Sequence, residues 1–335
     1  MNLFTEVKIP KSNINLSYKS KLMFVGSCFA DNISAYFENA KFSCLTNPFG
    51  TLYNPISINA LFDMIINRKE FVNDDFFYSR GMYSSYLLHS DLSNKDIHTA
   101  VADTNKALTE SYNYLQQASI LFITLGTAWV YYLNENGKAV ANCHKQNPKL
   151  FTRKLLTVEE SSAALHKICT NVLSFNPDIR IVLTVSPIRH IADGATDNSL
   201  SKSTLLLSVN QIVSTFASVE YFPSYEIMID ELRDYRFYSE NLTHPSKMAE
   251  QIIFEKLLST FCSKAVVNQI TLVQNFMKSA NHKIISPESP ETKQFATAQL
   301  QRAMQLESQI SGLDLSNEKL YFTEIVNKNK GNNNE

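Results

Sequence analysis

Lys21-Leu22-Met23-Phe24-Val25-Gly26-Ser27-Cys28-Phe29-Ala30-Asp31-Asn32-Ile33-Ser34-Ala35-Tyr36-Phe37 changes its apolar period halfway along. The run 21–25 is short and apolar, Gly26-Ser27 breaks it, and from Cys28 onward apolar positions recur at helical spacing. The segment therefore reads as strand, sharp turn, helix. Two further apolar runs, 120–125 and 179–185, end in Gly126 and in Ser186-Pro187 and read as buried parallel strands. Helical segments at 96–117, 157–175 and 200–217 alternate with these runs, the second opening on the capping-box pattern Thr157-Val158-Glu159-Glu160. A strand is expected at 219–222, and a helix at 245–262 that packs back on the sheet. Such alternation implies right-handed crossovers and a doubly wound α/β sheet, whose ligands bind at the carboxyl ends of the strands. Gly26-Ser27, Gly126-Thr127 and Ser186-Pro187 share that edge.

The whole chain of 335 residues is 44% hydrophobic and 19% charged, with 31 basic against 32 acidic residues, which excludes disorder, collagen and coiled coil as overall classes. A net charge of -1 provides no electrostatic footprint for nucleic acid or an anionic membrane. No stretch approaches the roughly 18 apolar residues of a membrane span, and residues 1–8 lack the pattern of a signal peptide, so a cytoplasmic protein is expected. The five cysteines form no C-x-x-C pair; free thiols are expected, with neither a disulfide framework nor a zinc site. Glycine is scarce, 8 where average usage of about 7% gives roughly 23, so each one asks for a reason. There is no internal repeat and no P-loop. Residues 263–327 are mostly helical by pattern, as an extension to a domain over 1–262, and 328–335 is a polar tail expected to be disordered.

Ser27 stands at a strand-to-helix turn, where a serine can attack a carbonyl while its own amide holds the oxyanion, or can simply cap the helix. The G-x-S-x-G elbow is not met, because Val25 and Phe29 stand where its glycines would be. His244, at the junction of a loop and the helix starting at Pro245, can serve such a serine as base or can be a capping histidine. Cys143-His144 offers a metal or thiolate pair without a second ligand pair at metal spacing, so no metal is expected. His190 and His89 are candidate pocket residues, Arg189 a candidate anchor for a carboxylate or phosphate, and Trp129 with Tyr131 candidate stacking surfaces. Each of these also has an ordinary structural use.

Gly26-Ser27-Cys28-Phe29-Ala30 spells the motif of the GSCFA family of SGNH (GDSL-like) hydrolases, and other segments resemble that family's blocks: Asn47–Pro55, Leu125–Tyr131, Asn142–Lys145, Ser186–His190 and the His244-Pro245-Ser246 region. The resemblance runs from about residue 1 to 260. It implies a flavodoxin-like three-layer α/β/α sandwich with a central parallel sheet, Ser27 as nucleophile, His244 as general base, and an oxyanion hole from the amides of Ser27 and Gly50. Gly126 marks the third block. Two positions depart from the pattern. Trp129 stands where the third block normally ends in asparagine, leaving Thr127 or Asn142 as replacement donors, and Asn241 stands where the last block normally has aspartate. Asn241 can orient His244 Nδ1–H through its carbonyl oxygen but supplies no counter-charge; Glu240 and Asp234 are the nearest carboxylates in sequence.

The resulting expectation is a serine esterase or acyl hydrolase acting on a small-molecule or carbohydrate ester without a cofactor. Ser27, His244 and Asn241 would carry catalysis, and Trp129, Tyr131, His144, Arg189 and His190 would line the substrate. The competing expectation, motivated by the two departures, is a binding or scaffold protein that kept the fold and lost efficient catalysis.

Overall fold

The computed structural model describes residues 5–282, 284, 286 and 289–328. The described residues fall into two compact units, one within Met1–Pro10, Lys21–Ser34 and Cys44–Leu257, the other within Lys11–Ser20, Ala35–Ser43 and Leu258–Glu335. The polar tail expected from 328 lies, from residue 329 on, outside the described residues.

The chain runs β1 (Lys21–Gly26), α1 (Cys28–Asn39), β2 (Ser43–Thr46), α2 (Pro55–Asn67), β3 (Phe77–Ser79), β4 (Met82–Ser84), α3 (Ile97–Gln117), β5 (Ile120–Leu125), β6 (Trp129–Leu133), β7 (Ala139–Val140), β8 (Phe151–Leu155), α4 (Val158–Phe175), β9 (Arg180–Val185), α5 (Ala195–Thr215), β10 (Val219–Tyr221), α6 (Ser224–Glu226), α7 (Lys247–Phe261), α8 (Lys264–Ala280), α9 (Pro290–Gln309) and α10 (Ser316–Lys328). The main sheet has the order β10-β9-β5-β1-β2. Counting only its own five strands, that is the 2-1-3-4-5 order of flavodoxin-like folds, with the switch point between β1 and β5. The ladders β1–β5, β5–β9 and β9–β10 are parallel, with Val25 opposite Ile123 and Ile123 opposite Leu183.

All six residues of β5 and five of six in β1 and β9 are buried, which is why these strands appear in the sequence as unbroken apolar runs. Alternate residues serve opposite faces. Met23, Val25, Leu121, Ile123, Ile181 and Leu183 join the core with Leu61 and Ile65 of α2, Leu165 and Ile168 of α4 and Leu205 of α5. Phe24 and Phe122 point the other way and stack with ring centroids 4.7 Å apart.

Helix starts follow local chemistry. Asn54 caps α2 ahead of Pro55, Asp96 caps α3, and Thr157 and Glu160 form the reciprocal capping box of α4. Helix α5 begins at Ala195, five residues before the expected start, because Gly194 (φ +94) turns the chain into it. The sequence reading did not resolve the two antiparallel pieces, the β3–β4 hairpin and the sheet β7-β6-β8. Among the described residues no helix is long and apolar enough to cross a membrane. In the second unit, Phe276 and Phe295 pack edge-on to Phe322, and Leu16 N–H donates to Phe261 O at 2.7 Å.

Candidate active site

At the carboxyl edge the strand ends interlock. Gly26 has φ +139, and a Cβ there would lie 2.1 Å from Thr124 O, so only glycine lets β1 lie this close to β5. Ser27 N–H then donates to Thr124 O (3.0 Å), carrying the β1–β5 ladder one residue past the strand, and Ser27 O accepts from Ala30 N–H as α1 begins. The side chain is held where strand becomes helix. Ser27 is 1% exposed, and its Oγ has no hydrogen-bond partner among the described residues. A Cβ on Gly126 would stand 3.3 Å from Ser27 Cβ and 2.9 Å from the Tyr53 ring, so the end of β5 lies directly beside the serine.

The segment 47–53 wraps this corner. Asn47 Oδ1 accepts from Gly26 N–H (2.8 Å) while its Nδ2 donates to Asp31 Oδ1 (2.6 Å), tying the end of β1 to the first turn of α1. Leu52 N–H donates to Gly26 O, and Tyr53 O accepts from the amides of both Gly126 and Thr127. These bonds bear on the expected oxyanion donors. Ser27 N–H is engaged with Thr124 O and Gly50 N–H with Asn47 O (2.7 Å), so neither is free. Thr127 Oγ1 bonds Ser201 Oγ (3.0 Å) and accepts from Trp129 N–H. Asn142 lies elsewhere, its Nδ2 donating to Ser90 Oγ. Thr51 N–H, between the engaged amides of Gly50 and Leu52, has no acceptor among the described residues.

The His244 loop is a tight knot. Ser239 N–H donates to His244 O, and Asn241 Oδ1 accepts from the backbone amides of Thr243 and His244, each at 3.0 Å. Those two amides fix which end of the carboxamide is which. Asn241 Nδ2 therefore faces His244 Nδ1 at 2.8 Å and donates to it. This corrects the expected arrangement: the asparagine carbonyl is occupied by the turn, the amide group meets the ring, and the neutral imidazole in this pairing carries its proton on Nε2. The oxygen able to accept from Nδ1–H is Thr243 Oγ1, 3.1 Å away, whose own hydrogen goes to Asn241 Oδ1. Neither sequence-neighbouring carboxylate is a partner of the ring; Asp234 instead accepts from Arg236 N–H and faces the Arg236 guanidinium.

Arg189 N–H donates to Thr243 O (3.1 Å), joining the His244 loop to the segment after β9. There the His190 ring meets the Tyr53 ring edge-to-face, with centroids 6.1 Å apart. Burial, then the positive charge of Lys202, pushes the His190 imidazole down to about 4, so it is neutral at pH 7. The positive charge of Arg189 acts on the phenols of Tyr225 and Tyr238, opposing the upward push of burial on both. Trp129 lies under the Arg153 guanidinium (4.1 Å), which also bonds Asp193 at 2.6 Å, so one face of the indole is covered; Tyr131 is 40% exposed. His144 is in the turn 142–145, with Nε2 against Ser85 O at 2.8 Å.

Lys202 is the site residue that sequence reasoning missed. It is 1% exposed, and its Nζ donates to Gly126 O and Ser186 O, each at 2.7 Å, bridging the ends of β5 and β9. Burial pushes its ammonium down to about 7. The neighbouring Ser201 Oγ accepts from Ala128 N–H. The signal was present: Asn198, Ser201, Lys202, Leu205, Val209 and Ile212 form one buried stripe at helical spacing, and a lysine within such a stripe points inward.

Fold and site together define a doubly wound α/β protein with an unbonded serine at the tip of its first strand and two histidine-bearing loops on the same edge. The chain belongs to the GSCFA family, whose sequence model matches residues 21–257; a second model, GSCFA domain protein, C-terminal domain, matches residues 273–328. No curated protein matches it in sequence. Among solved structures it is similar to the acetyl xylan esterase Est2A from the rumen bacterium Butyrivibrio proteoclasticus (12% identity over 74% of this chain, TM-score 0.38). It is also similar to a carbohydrate esterase family 2 enzyme from Corynascus thermopiles (Myceliophthora fergusii) (14% identity, 78% of this chain and 69% of that one, TM-score 0.40). A carbohydrate esterase family 3 protein from Talaromyces cellulolyticus matches at 8% identity (76% of this chain, 99% of that one, TM-score 0.34). The match spans 64% of the length of Est2A, under two thirds of it.

Proposed function

We propose that the protein is a serine esterase that cleaves an acyl ester of a carbohydrate or other small alcohol, with Ser27 as nucleophile and His244 as general base. The observation that carries this reading is the Ser27 hydroxyl itself: buried, without a partner, and held at the edge where ends of β1 and β5 meet. Ser27 Oγ attacks the ester carbonyl, His244 Nε2 takes its proton, and the imidazolium later returns a proton to the leaving alcohol. Accepting at Nε2 requires the other neutral tautomer, with the proton on Nδ1, in which Thr243 Oγ1 accepts from the ring in place of the Asn241 donation. Thr51 N–H is the donor we assign to the developing oxyanion. Lys202 holds the strand ends that frame the serine.

The test is labelling by a fluorophosphonate probe together with hydrolysis of acetylated sugars. Ser27 should carry the label, and Ser27→Ala should lose label and hydrolysis with its circular dichroism unchanged. An active Ser27→Ala protein ends the nucleophile assignment. The second reading, a binding protein with weakened catalysis, is favoured by the Asn241 amide facing His244 Nδ1 and by the closure around Ser27. It is the reading to adopt if the probe leaves Ser27 unlabelled while sugars still bind.

A further inference from the structure

Away from the serine, the β3–β4 hairpin and the turn 142–145 enclose a cleft of about 580 Å³ lined by Arg80, His89, Ser90, Asn142, His144 and Lys145, with three further serines. Arg80 and Lys145 bring two cationic side chains to it. Among the described residues neither pairs with a carboxylate; the Arg80 guanidinium donates to the backbone carbonyl of Lys145 at 2.8 Å, which leaves most of its donors unused. The Asp91 carboxylate, next in sequence to the lining residue Ser90, lies 3.0 Å from His89 Nδ1. In a chain whose charges nearly balance, two unneutralised cations facing hydroxyl and amide groups in one concavity are a site prepared for negative charge.

The backbone points the same way. Ser79 pairs with Met82, so Arg80-Gly81 is a two-residue hairpin loop with both residues left-handed (φ 53 and 81), a turn that favours Asn-Gly. His144 (φ 48) and Lys145 (φ 53) are left-handed as well. Both cations of the cleft thus sit in a conformation uncommon for their side chains, whereas histidine is enriched in it. Stability alone would place asparagine or glycine there.

We propose that this cleft binds the carboxylate or phosphate group of an anionic sugar. Arg80 offers a planar fork of donors, Lys145 a point charge, and Ser90 and Asn142 partners for sugar hydroxyls. One wall of the cleft is tied through the backbone to the segment beside the serine. A Cβ on Gly50 would lie 2.1 Å from His89 Cβ, His89 N–H donates to Phe49 O, and three residues after Phe49 the Leu52 N–H bonds Gly26 O beside Ser27. The wall of the cleft therefore rests on the segment that flanks the serine. A role in selecting ester substrates rests on the esterase reading, whereas the binding itself does not.

The experiment is calorimetric titration of the full-length Ser27→Ala protein with glucuronate, glucose 6-phosphate and glucose. At least one anionic sugar should bind at least tenfold more tightly than glucose, with affinity falling as salt rises; the ranking of the two tells carboxylate from phosphate. Arg80→Asn and Lys145→Asn each remove a cation while suiting a left-handed position, so both variants should keep or raise Tm. Each should weaken anion binding about tenfold, the loss expected from one charge-assisted contact. Equal affinity for glucose and both anions, or anion binding untouched in the Arg80→Asn, Lys145→Asn double variant, overturns the proposal. With Ser27 intact, acetylated glucuronate or glucose 6-phosphate should be hydrolysed in preference to acetylated glucose. If the anions bind as described but no ester is cleaved, the esterase reading fails and the binding site stands.

Discussion

Lys202 Nζ lies 2.7 Å from the carbonyl oxygen of Gly126, the residue whose missing side chain leaves room for Ser27. An ammonium group almost entirely out of water thus secures the strand end next to the proposed nucleophile, its second bond going to Ser186 O. Two backbone carbonyls compensate only part of its lost hydration, which is why its proton is held less firmly than that of an exposed lysine.

Stability should report that buried charge. Lys202 is held down to about 7 in the folded protein, below the roughly 10.4 of an unfolded chain, so between these values the unfolded state binds more protons and stability rises with pH. Buried thiols such as Cys169, pushed up to about 12, act in the opposite sense above pH 9. The window from pH 7 to 9 is therefore the clean one. Thermal melts of wild type and Lys202→Met across pH 6 to 9 should show wild type gaining on the variant as pH rises. Parallel curves would mean that Lys202 does not titrate in this range.

Two histidines compete for the role of base, and pH separates them. A base must be neutral to accept a proton, so kcat/KM for ester cleavage should rise through one ionisation. A limb centred near pH 4 would belong to His190, the imidazole that burial and Lys202 hold near that value. The expected outcome is that the limb disappears in His244→Ala with a loss of at least a hundredfold, while His190→Ala retains limb and most of the activity. The reverse pattern transfers the role to His190.

Asn241 and Thr243 make opposite demands on His244. Asn241 Nδ2 donates to Nδ1 and favours the tautomer unable to act at Nε2, whereas Thr243 Oγ1 accepts and favours the useful one. Asn241→Asp replaces a donor by a charged acceptor at 2.8 Å while the other oxygen can still serve the turn. The rate should rise, about tenfold, and the pH limb should move upward because the imidazolium gains a counter-charge. Thr243→Val should lower the rate by a similar factor at unchanged Tm. A neutral Thr243→Val variant would remove Thr243 from the mechanism.

Gly26→Ala tests the sheet rather than the chemistry. The added methyl meets Thr124 O at 2.1 Å, and the backbone there is left-handed. Main chain cannot step aside as a flexible side chain can, so a loss of several kcal/mol, about the size of a severe core lesion, should appear in denaturant unfolding. Gly81→Ala, with open space around its Cβ, should cost only the left-handed backbone term of about 1 kcal/mol.

The parts of the fold that were legible are those in which burial dictates composition. β1, β5 and β9 are covered on both faces, so their sequences are continuous apolar runs, and Gly26, Gly126 and Ser186 mark where each ends. β3, β4 and β7 are two or three residues long and only partly buried, too short for a period to show. Ser27 and His244 could be singled out because their positions imply chemistry. Lys202 was passed over because a lysine ordinarily marks solvent, and only the depth of its helical stripe reveals otherwise. The direction of the Asn241 amide is a different kind of loss: it depends on which end of the carboxamide the turn consumes, and residue identity alone carries no such information.

The bridge made by Lys202 also limits how the chain can change over evolutionary time. Lys202 sits 16 positions after Ser186, and Ser201 beside it holds Ala128 N–H, so the first two turns of α5 are read out at the strand ends in fixed rotational register. Insertion or deletion of one residue between Ala195 and Ser201 turns the rest of the helix by about 100° and sweeps the ammonium away from both carbonyls. The turn at 134–138, exposed and joining two antiparallel strands, carries no such constraint. Length variation among descendants of this chain should therefore accumulate at that turn and be absent from the opening of α5.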